Sequence, residues 1–213
     1  MSPISLEING STSFFHAGTA SWEDLTEEER AVSDSYHPNR RTEFATGRYC
    51  ARMTMKKLGL KPVSIPIGVN RQPLWPADVT GSISHTKGLT GALMARKMDF
   101  RSVGIDIEGR RKVEPLLWHQ LFTENEYRML DLAGTNDAAE LATLFFSLKE
   151  SFYKMQFPLT GRFLDFRDVE LQPMETGYRI SVLQGLEQPE ILRDHRLGFM
   201  YHEAFVITWA LAE

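Results

Sequence analysis

The same helix-start signal occurs twice in this chain, once in each half. Thr26 is followed three positions later by Glu29, and Thr123 is followed in the same way by Glu126. A threonine at the N-cap and a glutamate three positions on satisfy two backbone amides reciprocally, so the pattern is typical of a helix start. The two threonines lie 97 positions apart in a chain of 213 residues. This spacing predicts two halves of similar size, related by an internal duplication.

The first long helical pattern covers about residues 41–58. Apolar and small residues recur along it at helical spacing, and Gly59 follows directly as an expected end of the helix. Arg41, Arg48 and Arg52 lie along one margin of the predicted buried face. A single arginine at such a margin is usually explained by an alkyl stem that packs while its charge reaches water. Three in a row indicate a site for a polyanion.

The second long helical pattern covers about residues 139–156 and has one apolar face. Glu150 and Lys154 lie nearly opposite that face, in the i,i+4 order that is favourable on a helix surface. One interpretation is a solvated pair that contributes little to stability. Phe146 and Tyr153 flank the pair on the same side, however, and such neighbours are not typical of a freely solvated face.

An acidic strand pattern lies between the two long helices. Val103, Ile105 and Ile107 alternate with Asp106 and Glu108. A strand places alternate side chains on opposite faces, so the two carboxylates share one face, about 6.6–6.8 Å apart along the backbone. Buried carboxylates at this distance repel and need a cation, a proton or a basic partner. Mg2+ fits, because it accepts carboxylate oxygens and keeps water and phosphate as its other ligands. An edge strand with a solvated acidic face is the alternative.

Other strands are predicted on both sides of this acidic strand. Residues 81–86 are expected to lead into a strand at residues 89–95. A turn at residues 97–101 would pair that strand with residues 103–108 as a hairpin. The C-terminal third alternates polar turns with short strand-like segments, at residues 167–171, 178–182 and 204–210.

Composition and charge exclude several classes of protein. Hydrophobic residues make up 42% of the chain and charged residues 24%, which is ordinary for a globular protein and excludes a disordered or fibrous one. The formal net charge of -4 argues against a general nucleic-acid binder, and no apolar run is as long as a membrane span. The lone Cys50 excludes an intramolecular disulfide, and residues 1–4 lack the features of a secretory signal. We therefore expect a cytoplasmic protein that binds neither nucleic acid nor a membrane.

Two other kinds of catalytic site are disfavoured. Of the six histidines only His85 lies in a motif, and the others lack the spacing of zinc ligands. Neither Ser84 nor Cys50 has the partners of a nucleophilic triad around it. A zinc enzyme and a nucleophilic acyl transferase are therefore both poor explanations of the chain.

Five segments together resemble motifs of the 4'-phosphopantetheinyl transferases of the surfactin and enterobactin type. They occur in the family's order, at residues 47–52, 73–76, 81–85, 103–108 and 146–154. A single short motif of this kind occurs by chance, but five in order do not. The resemblance implies an α+β fold of two pseudo-symmetric α/β halves with the active site in the cleft between them. Residues 1–102 would form the half that grips the phosphates of coenzyme A, and residues 103–213 the half with the metal and the catalytic helix.

The reaction implied by the resemblance moves the 4'-phosphopantetheine arm of coenzyme A to a serine of an apo acyl- or peptidyl-carrier protein. Adenosine 3',5'-bisphosphate is released. Asp106, Glu108 and Glu150 match the residues that hold Mg2+ with the pyrophosphate of coenzyme A. Glu150 is also the candidate general base for the carrier serine. Lys154 would neutralise charge at the bridging or leaving oxygen.

The contacts to coenzyme A are also carried over from the resemblance. Arg40, Arg48 and His85 match positions that bind the 3'-phosphate and neighbouring phosphates, and Ser84 would add a hydrogen bond. Two further contacts are predicted at Arg71, where the family varies, and at Lys149. The family often has a cysteine directly after the histidine, whereas Thr86 stands there in this chain, so the subfamily stays open.

Partners and alternatives complete the expectations. The family implies a monomer whose partner is an apo carrier protein. Either the basic run Arg110, Arg111 and Lys112 or the pair Arg162 and Arg167 would steer the acidic helix of that carrier, unless these charges are merely solvated. Two other functions remain open. The chain could be a non-catalytic module that binds coenzyme A or a carrier protein, or a Mg2+-dependent coenzyme A pyrophosphohydrolase.

Overall fold

The computed structural model describes residues 4, 6, 8, 10–110 and 113–213. The chain divides into two compact units, Met1–Val103 and Gly104–Glu213. Both units combine helices with strands, so the predicted α+β class is confirmed. The predicted duplication and the position of the active site stay predictions. Residues 1–3 of the predicted N-terminal segment and Arg111 and Lys112 of the predicted basic run lie outside the described residues.

The first unit contains one long helix and a three-stranded sheet. Its elements in chain order are β1 (Ser11–His16), α1 (Glu27–Ser33), α2 (Pro38–Lys57), β2 (Val79–Thr86) and β3 (Leu89–Arg96). The strands are antiparallel in the order β1-β3-β2. Helix α2 packs on this sheet. The core between them is formed by Cys50, Ala51, Met55, Ile65, Val79, Ala92 and Met94.

The second unit is built around the longest helix. Its elements are β4 (Ser102–Gly109, which starts two residues before the unit boundary), α3 (Trp118–Leu121), α4 (Glu124–Ala133), α5 (Thr135–Thr160), β5 (Val169–Pro173), β6 (Tyr178–Val182), β7 (His195–His202) and β8 (Phe205–Ala212). One sheet has the order β4-β8-β7, and β5 and β6 form a separate antiparallel pair. Helix α5 packs against β8 and buries Phe145, Leu148, Phe152 and Met155 in the core.

Gly104 lets strand β4 pass close to helix α5. A side chain at this position would overlap the Ser151 carbonyl oxygen and come within 2.8 Å of the Met155 amide nitrogen. Only glycine avoids this clash, because the obstacle is helix backbone and cannot move aside. The close approach places the acidic residues of β4 next to the helix that carries Glu150 and Lys154.

The helices agree well with the sequence predictions. Both capping boxes are present: the Thr26 amide donates to Glu29 Oε2 at 3.1 Å, and the Thr123 amide donates to Glu126 Oε2 at 2.8 Å. Helix α2 begins earlier than predicted, because Pro38 in its first turn supplies a suitable φ without losing a hydrogen bond. Helix α5 extends beyond the predicted range at both ends.

The predicted pairing of strands was wrong. Strand β3 lies between β1 and β2, so both of its edges are occupied and it cannot form a hairpin with β4. Strand β4 pairs instead with β8, about a hundred positions further along the chain. Residues 81–86, which were expected to lead into a strand, are part of β2 itself. Strand β7 was not predicted. None of the described helices has the length and apolarity that a membrane crossing requires.

Candidate functional site

Strand β4 holds its two carboxylates inside the protein. Asp106 is 3% exposed to solvent and Glu108 is 8% exposed. Ile105 and Ile107 on the other face are buried as well. The alternative of a solvated acidic face is therefore wrong. Burial without a compensating partner would be costly for both acids, so their neighbours decide what this strand does.

Asp106 is bound to two residues of helix α5. Lys154 Nζ donates to Asp106 Oδ1 at 2.6 Å, and Ser147 Oγ donates to Asp106 Oδ2 at 2.8 Å. Ser147 and Lys154 lie seven residues apart, which is two helical turns, so both point from the same side of α5. The pair Glu150–Lys154 is thus not a solvated surface pair, because Lys154 is committed to Asp106 on the neighbouring strand.

Glu150 belongs to the same electrostatic group. Burial raises the pKa of the Glu150 carboxyl, Lys154 opposes this shift, and the charges of Asp106 and Glu108 add to it. Glu150 on α5 therefore interacts with the two carboxylates of β4. These two strand acids and one helix acid are the residues that the sequence singled out. The role of each as a metal ligand stays a prediction.

The chemistry of these three acids fits a hard divalent cation. Three carboxylates with restricted access to water repel one another, and a cation relieves that repulsion while it accepts their oxygens. In the part of the chain that the structure describes, no group of three or more His, Cys, Asp and Glu side chains is already arranged to hold a metal ion. In the structure the Lys154 ammonium supplies positive charge at Asp106.

Ser147 is a site residue that the sequence reasoning missed. Its hydroxyl contacts Asp106 and also lies 3.0 Å from Thr208 Oγ1. Ser147 precedes Lys154 by seven residues, which is two full turns, so helical spacing alone places the two side chains on one face. This spacing could have identified Ser147 from the sequence once Lys154 had been singled out.

Lys149 forms a buried ion pair with Glu126. We call this pair, together with the backbone groups of Leu121, Thr123, Phe166 and Leu171 that bind it, the Glu126 cluster. Lys149 Nζ donates to Glu126 Oε2 at 2.7 Å, to the Leu121 carbonyl at 3.0 Å and to the Phe166 carbonyl at 2.6 Å. Burial lowers the pKa of Lys149, and Glu126 opposes this. All three ammonium protons have protein acceptors, so this placement does not fit the predicted contact with coenzyme A.

Aromatic rings cover the helix face around Glu150. The Phe166 ring stacks on Phe146 with centroids 5.3 Å apart, and meets the Tyr153 ring edge-on, also at 5.3 Å. The Tyr153 hydroxyl donates to the Asp165 carbonyl at 3.1 Å. A cavity of about 610 Å³ opens beside this segment, lined by residues 165–168 together with Gln120, Leu121 and Gln184. The sequence had indicated Phe146 and Tyr153 but not Phe166.

In the first unit, Arg40 and His85 lie together although they are 45 positions apart in the chain. Arg40 Nη1 lies 3.3 Å from His85 Nε2 and 3.2 Å from Glu43 Oε2. Arg40 is on the first turns of α2 and His85 is near the end of β2. Ser84, directly before His85, is buried. The structure therefore brings two of the predicted phosphate contacts, Arg40 and His85, together.

Arg48 lies deeper in the same unit, in what we call the Glu29 cluster (Glu29, Arg48, Arg52, Ile65 and the Thr26 amide). Arg52 Nη1 donates to Glu29 Oε2 at 2.7 Å, whereas Arg48 Nε is 3.7 Å from Glu29 Oε1. Within the described residues, Arg48 Nε is buried and has no hydrogen-bond partner. Burial lowers the pKa of Arg48 to about 10, with Glu29 opposing and Arg52 adding to the shift. Two guanidinium groups around one carboxylate fit an anionic ligand.

Two predicted residues remain apart from these groups. Arg71 is exposed and has a φ of 64°, in the turn closed by its amide and the Gly68 carbonyl. Its side chain makes no hydrogen bond or ion pair within the described part of the chain. Arg110, from the predicted basic run, binds Glu140 at 2.5 Å and lies over the Tyr201 ring. Neither placement tests the predicted role.

Comparison with known proteins identifies the family. A family model described as 4'-phosphopantetheinyl transferase superfamily matches residues 102–211, more than half of the chain. A second, for the N-terminal domain of 4'-phosphopantetheinyl transferases, matches residues 27–95. The chain belongs to the 4'-phosphopantetheinyl transferase superfamily, and the resemblance seen in the sequence is confirmed.

Individual relatives carry the same family name. The 4'-phosphopantetheinyl transferase Npt of Nocardia iowensis is 36% identical over 144 residues, which cover 68% of this chain and 64% of that protein. The 4'-phosphopantetheinyl transferase Svp of Streptomyces mobaraensis is 40% identical over 149 residues, which cover 69% of this chain and 60% of that protein. The chain thus spans less than two thirds of the length of these relatives. The crystal structure of Thermotoga maritima holo-[acyl-carrier-protein] synthase matches at a TM-score of 0.43 and 21% identity, over 52% of this chain and 62% of that one.

Proposed function

We propose that this protein transfers the 4'-phosphopantetheine arm of coenzyme A to a serine hydroxyl of an apo acyl- or peptidyl-carrier protein, with Mg2+ as cofactor. Adenosine 3',5'-bisphosphate is the other product. The observation that carries the proposal is the contact between β4 and α5, where Asp106 is bound by Lys154 and interacts with Glu150. A phosphoryl-transfer site needs such a group, because its rate comes from positioning and charge stabilisation.

The carboxylates of Asp106, Glu108 and Glu150 would hold the metal. When bound, Mg2+ supplies a Lewis acid and a template for the pyrophosphate. Ser147 donates a hydrogen bond to Oδ2 of Asp106, and this bond keeps Oδ1 of the same carboxylate directed towards Lys154. This support fixes the orientation of one predicted ligand before any cation arrives.

Proton transfer and charge neutralisation fall to helix α5. Glu150 accepts the proton of the carrier serine, directly or through water, and a positioned base of this kind contributes roughly 10²–10⁴-fold to the rate. Lys154 lies one helical turn further along and neutralises charge on the bridging or leaving oxygen. Its contact with Asp106 holds the ammonium at the carboxylates until the substrate phosphate competes for it.

The phosphate contacts fall to the first unit. Arg40, Arg48, Ser84 and His85 bind the 3'-phosphate and neighbouring phosphates, with Arg71 as an outer contact. The buried Arg48 Nε without a hydrogen-bond partner supports this, because such a donor is costly unless a ligand satisfies it. An arginine fork also binds phosphate in a bidentate manner, which a lysine cannot do. We further propose that the protein acts as a monomer in the cytoplasm.

The test is transfer to a panel of apo acyl- and peptidyl-carrier domains, incubated with coenzyme A and Mg2+. Mass spectrometry of intact carriers should show one added phosphopantetheine group on the serine, and chelation of the metal should prevent it. No mass shift with any carrier would contradict the proposal. Coenzyme A cleaved without an acceptor would indicate a pyrophosphohydrolase, and binding without turnover would indicate a non-catalytic module.

A further inference from the structure

The Glu126 cluster joins helix α5 to four other backbone positions. Glu126 Oε2 accepts from Lys149 and from the Thr123 amide, and its Oε1 accepts from the Leu171 amide at 2.8 Å. The Lys149 ammonium also donates hydrogen bonds to the carbonyl groups of residues 121 and 166. A buried pair with every donor and acceptor satisfied holds its surroundings in one arrangement. The residue that follows Lys149 is Glu150.

The position of the Phe166 ring is the geometric link to Glu150. Phe146 and Tyr153 precede and follow Glu150 by four and three residues, so they are its neighbours on the helix surface. The Phe166 ring contacts both of them. A ring that touches both neighbours lies across the face from which Glu150 projects. Glu150 itself is half-buried.

Residues 165–168 are attached to α5 at two further points. The Phe166 carbonyl accepts from Lys149, and the Asp165 carbonyl accepts from the Tyr153 hydroxyl. Without the Lys149 ammonium, the shorter of these two hydrogen bonds is lost and the half-buried Phe166 carbonyl loses its donor. The Phe166 ring would then be free to leave the helix face around Glu150.

We propose that Lys149 and Glu126 are positioning residues, which hold Phe166 against α5 and thereby keep the Glu150 side chain in one orientation. The proposal rests on the function proposed above, in which Glu150 takes part in the transfer. It gives Lys149 a role that needs no contact with coenzyme A. It also gives Glu126 a second role, since the carboxylate that caps α4 also binds the lysine beside Glu150.

The kinetic test compares Lys149→Met, Glu126→Gln and the double variant with the wild type. Each should lower kcat about 10- to 100-fold, because small displacements of a reacting group cost that much, while KM for coenzyme A changes by less than about twofold. The double variant should be no slower than either single one, since both changes act on one pair. Leu192→Ala, a buried change elsewhere in the second unit, is the control for a general loss of stability.

A second measurement does not depend on activity. Trypsin cleaves after arginine; Arg162 precedes the attached segment and Arg167 lies within it. Cleavage at these two sites should accelerate in Lys149→Met but not in Leu192→Ala of equal stability. Unchanged cleavage would overturn the attachment. A raised KM with normal kcat would show instead that Lys149 contacts coenzyme A, and loss of kcat equal to that of Leu192→Ala would leave a purely structural role. An inactive wild type would refute the proposed function, whereas the cleavage result would still decide the attachment.

Discussion

The Glu29 cluster and the Glu126 cluster occupy matching places in the two units and differ in their cations. Each glutamate accepts from the amide of its own capping threonine and from one amide further along the chain, that of Ile65 in the first unit and that of Leu171 in the second. Each also binds a cation from the following long helix. Those cations, Arg52 and Lys149, are 97 positions apart, the same offset as the two capping threonines.

The hydroxyl groups of the two capping threonines extend the match. Thr26 Oγ1 donates to Ser64 at 3.0 Å, and Thr123 Oγ1 donates to Glu170 at 2.8 Å. Ser64 and Glu170 each directly precede the residue whose amide binds the glutamate. Such agreement in contacts is what an internal duplication would produce, although the duplication itself stays a prediction.

The cations give the two clusters different net charges. The Lys149 side chain is 0% exposed and balances Glu126 one to one, whereas the Arg52 side chain is 14% exposed and shares Glu29 with Arg48. The first cluster therefore carries an excess positive charge that suits an anion, and the second is a closed neutral pair that suits the support of a helix. On the proposed function, the same arrangement would serve binding in one unit and positioning in the other.

The largest expected effect is on chemistry in the second unit. Asp106→Asn removes the charge that faces Lys154 and one predicted metal ligand, so kcat for transfer to an apo carrier should fall on the order of 10³-fold or more, the equivalent of several kcal/mol of charge stabilisation. Ser147→Ala is the graded control, since it removes one hydrogen bond to the same carboxylate and should cost less. Near-normal turnover in Asp106→Asn would remove this residue from the mechanism.

The next largest effect is a difference in protein stability when the cation of each cluster is removed. Lys149→Met leaves the Glu126 carboxylate buried without its cation, which should lower the free energy of unfolding by about 3–5 kcal/mol in urea titrations. Arg52→Met at the matching position should cost only about 1.5–3 kcal/mol, because Arg48 remains near Glu29 as a second cation. Equal losses in the two variants would show that the clusters are equivalent after all.

A smaller effect is expected on substrate affinity in the first unit. Arg48→Met should raise KM for coenzyme A about 10- to 100-fold with little change in kcat, since hydrogen bonds to a charged group contribute about 1.5–3 kcal/mol. Removal of the coenzyme A 3'-phosphate should abolish the difference between variant and wild type. Lys56→Met, an exposed lysine of the same helix, is the matched control. If both variants lost affinity alike, general charge rather than the buried guanidinium would bind the phosphate.

The smallest expected effect is on the pH dependence of stability, through one histidine of the second unit. Burial lowers the pKa of His195 below its usual 6.5, and its Nδ1 lies 2.6 Å from the Leu192 carbonyl. Between the lowered pKa and 6.5 the unfolded chain binds a proton that the folded protein does not, so stability is complete above pH 6.5 and falls as the pH drops below it. His195→Phe should flatten this part of the stability curve, measured by urea unfolding between pH 5.5 and about 7.5. An unchanged slope would exclude His195 as its source.

Local patterns predicted the elements of this protein well. Both capping boxes formed where Thr26 and Thr123 predicted them, and both long helices followed, because helix signals act between residues only three or four positions apart. The alternation around Asp106 placed its carboxylate opposite Ile105 and Ile107 for a similar reason. Pairing of β4 with β8 was not predictable in this way, since its partner lies about a hundred positions away and local rules favoured the nearest strand.

The amino-acid sequence alone determined the family, and it supplied the residues to which we assign the chemistry as a prediction: the strand acids, the glutamate and lysine of α5, and the arginines of α2. Only the tertiary structure decided what surrounds each of them. Lys149 and Lys154 are both lysines of one helix, yet one is sealed against Glu126 and the other binds Asp106. That division depends on which distant segments pack against each face of the helix, and packing between distant segments leaves no periodic signal in a single sequence.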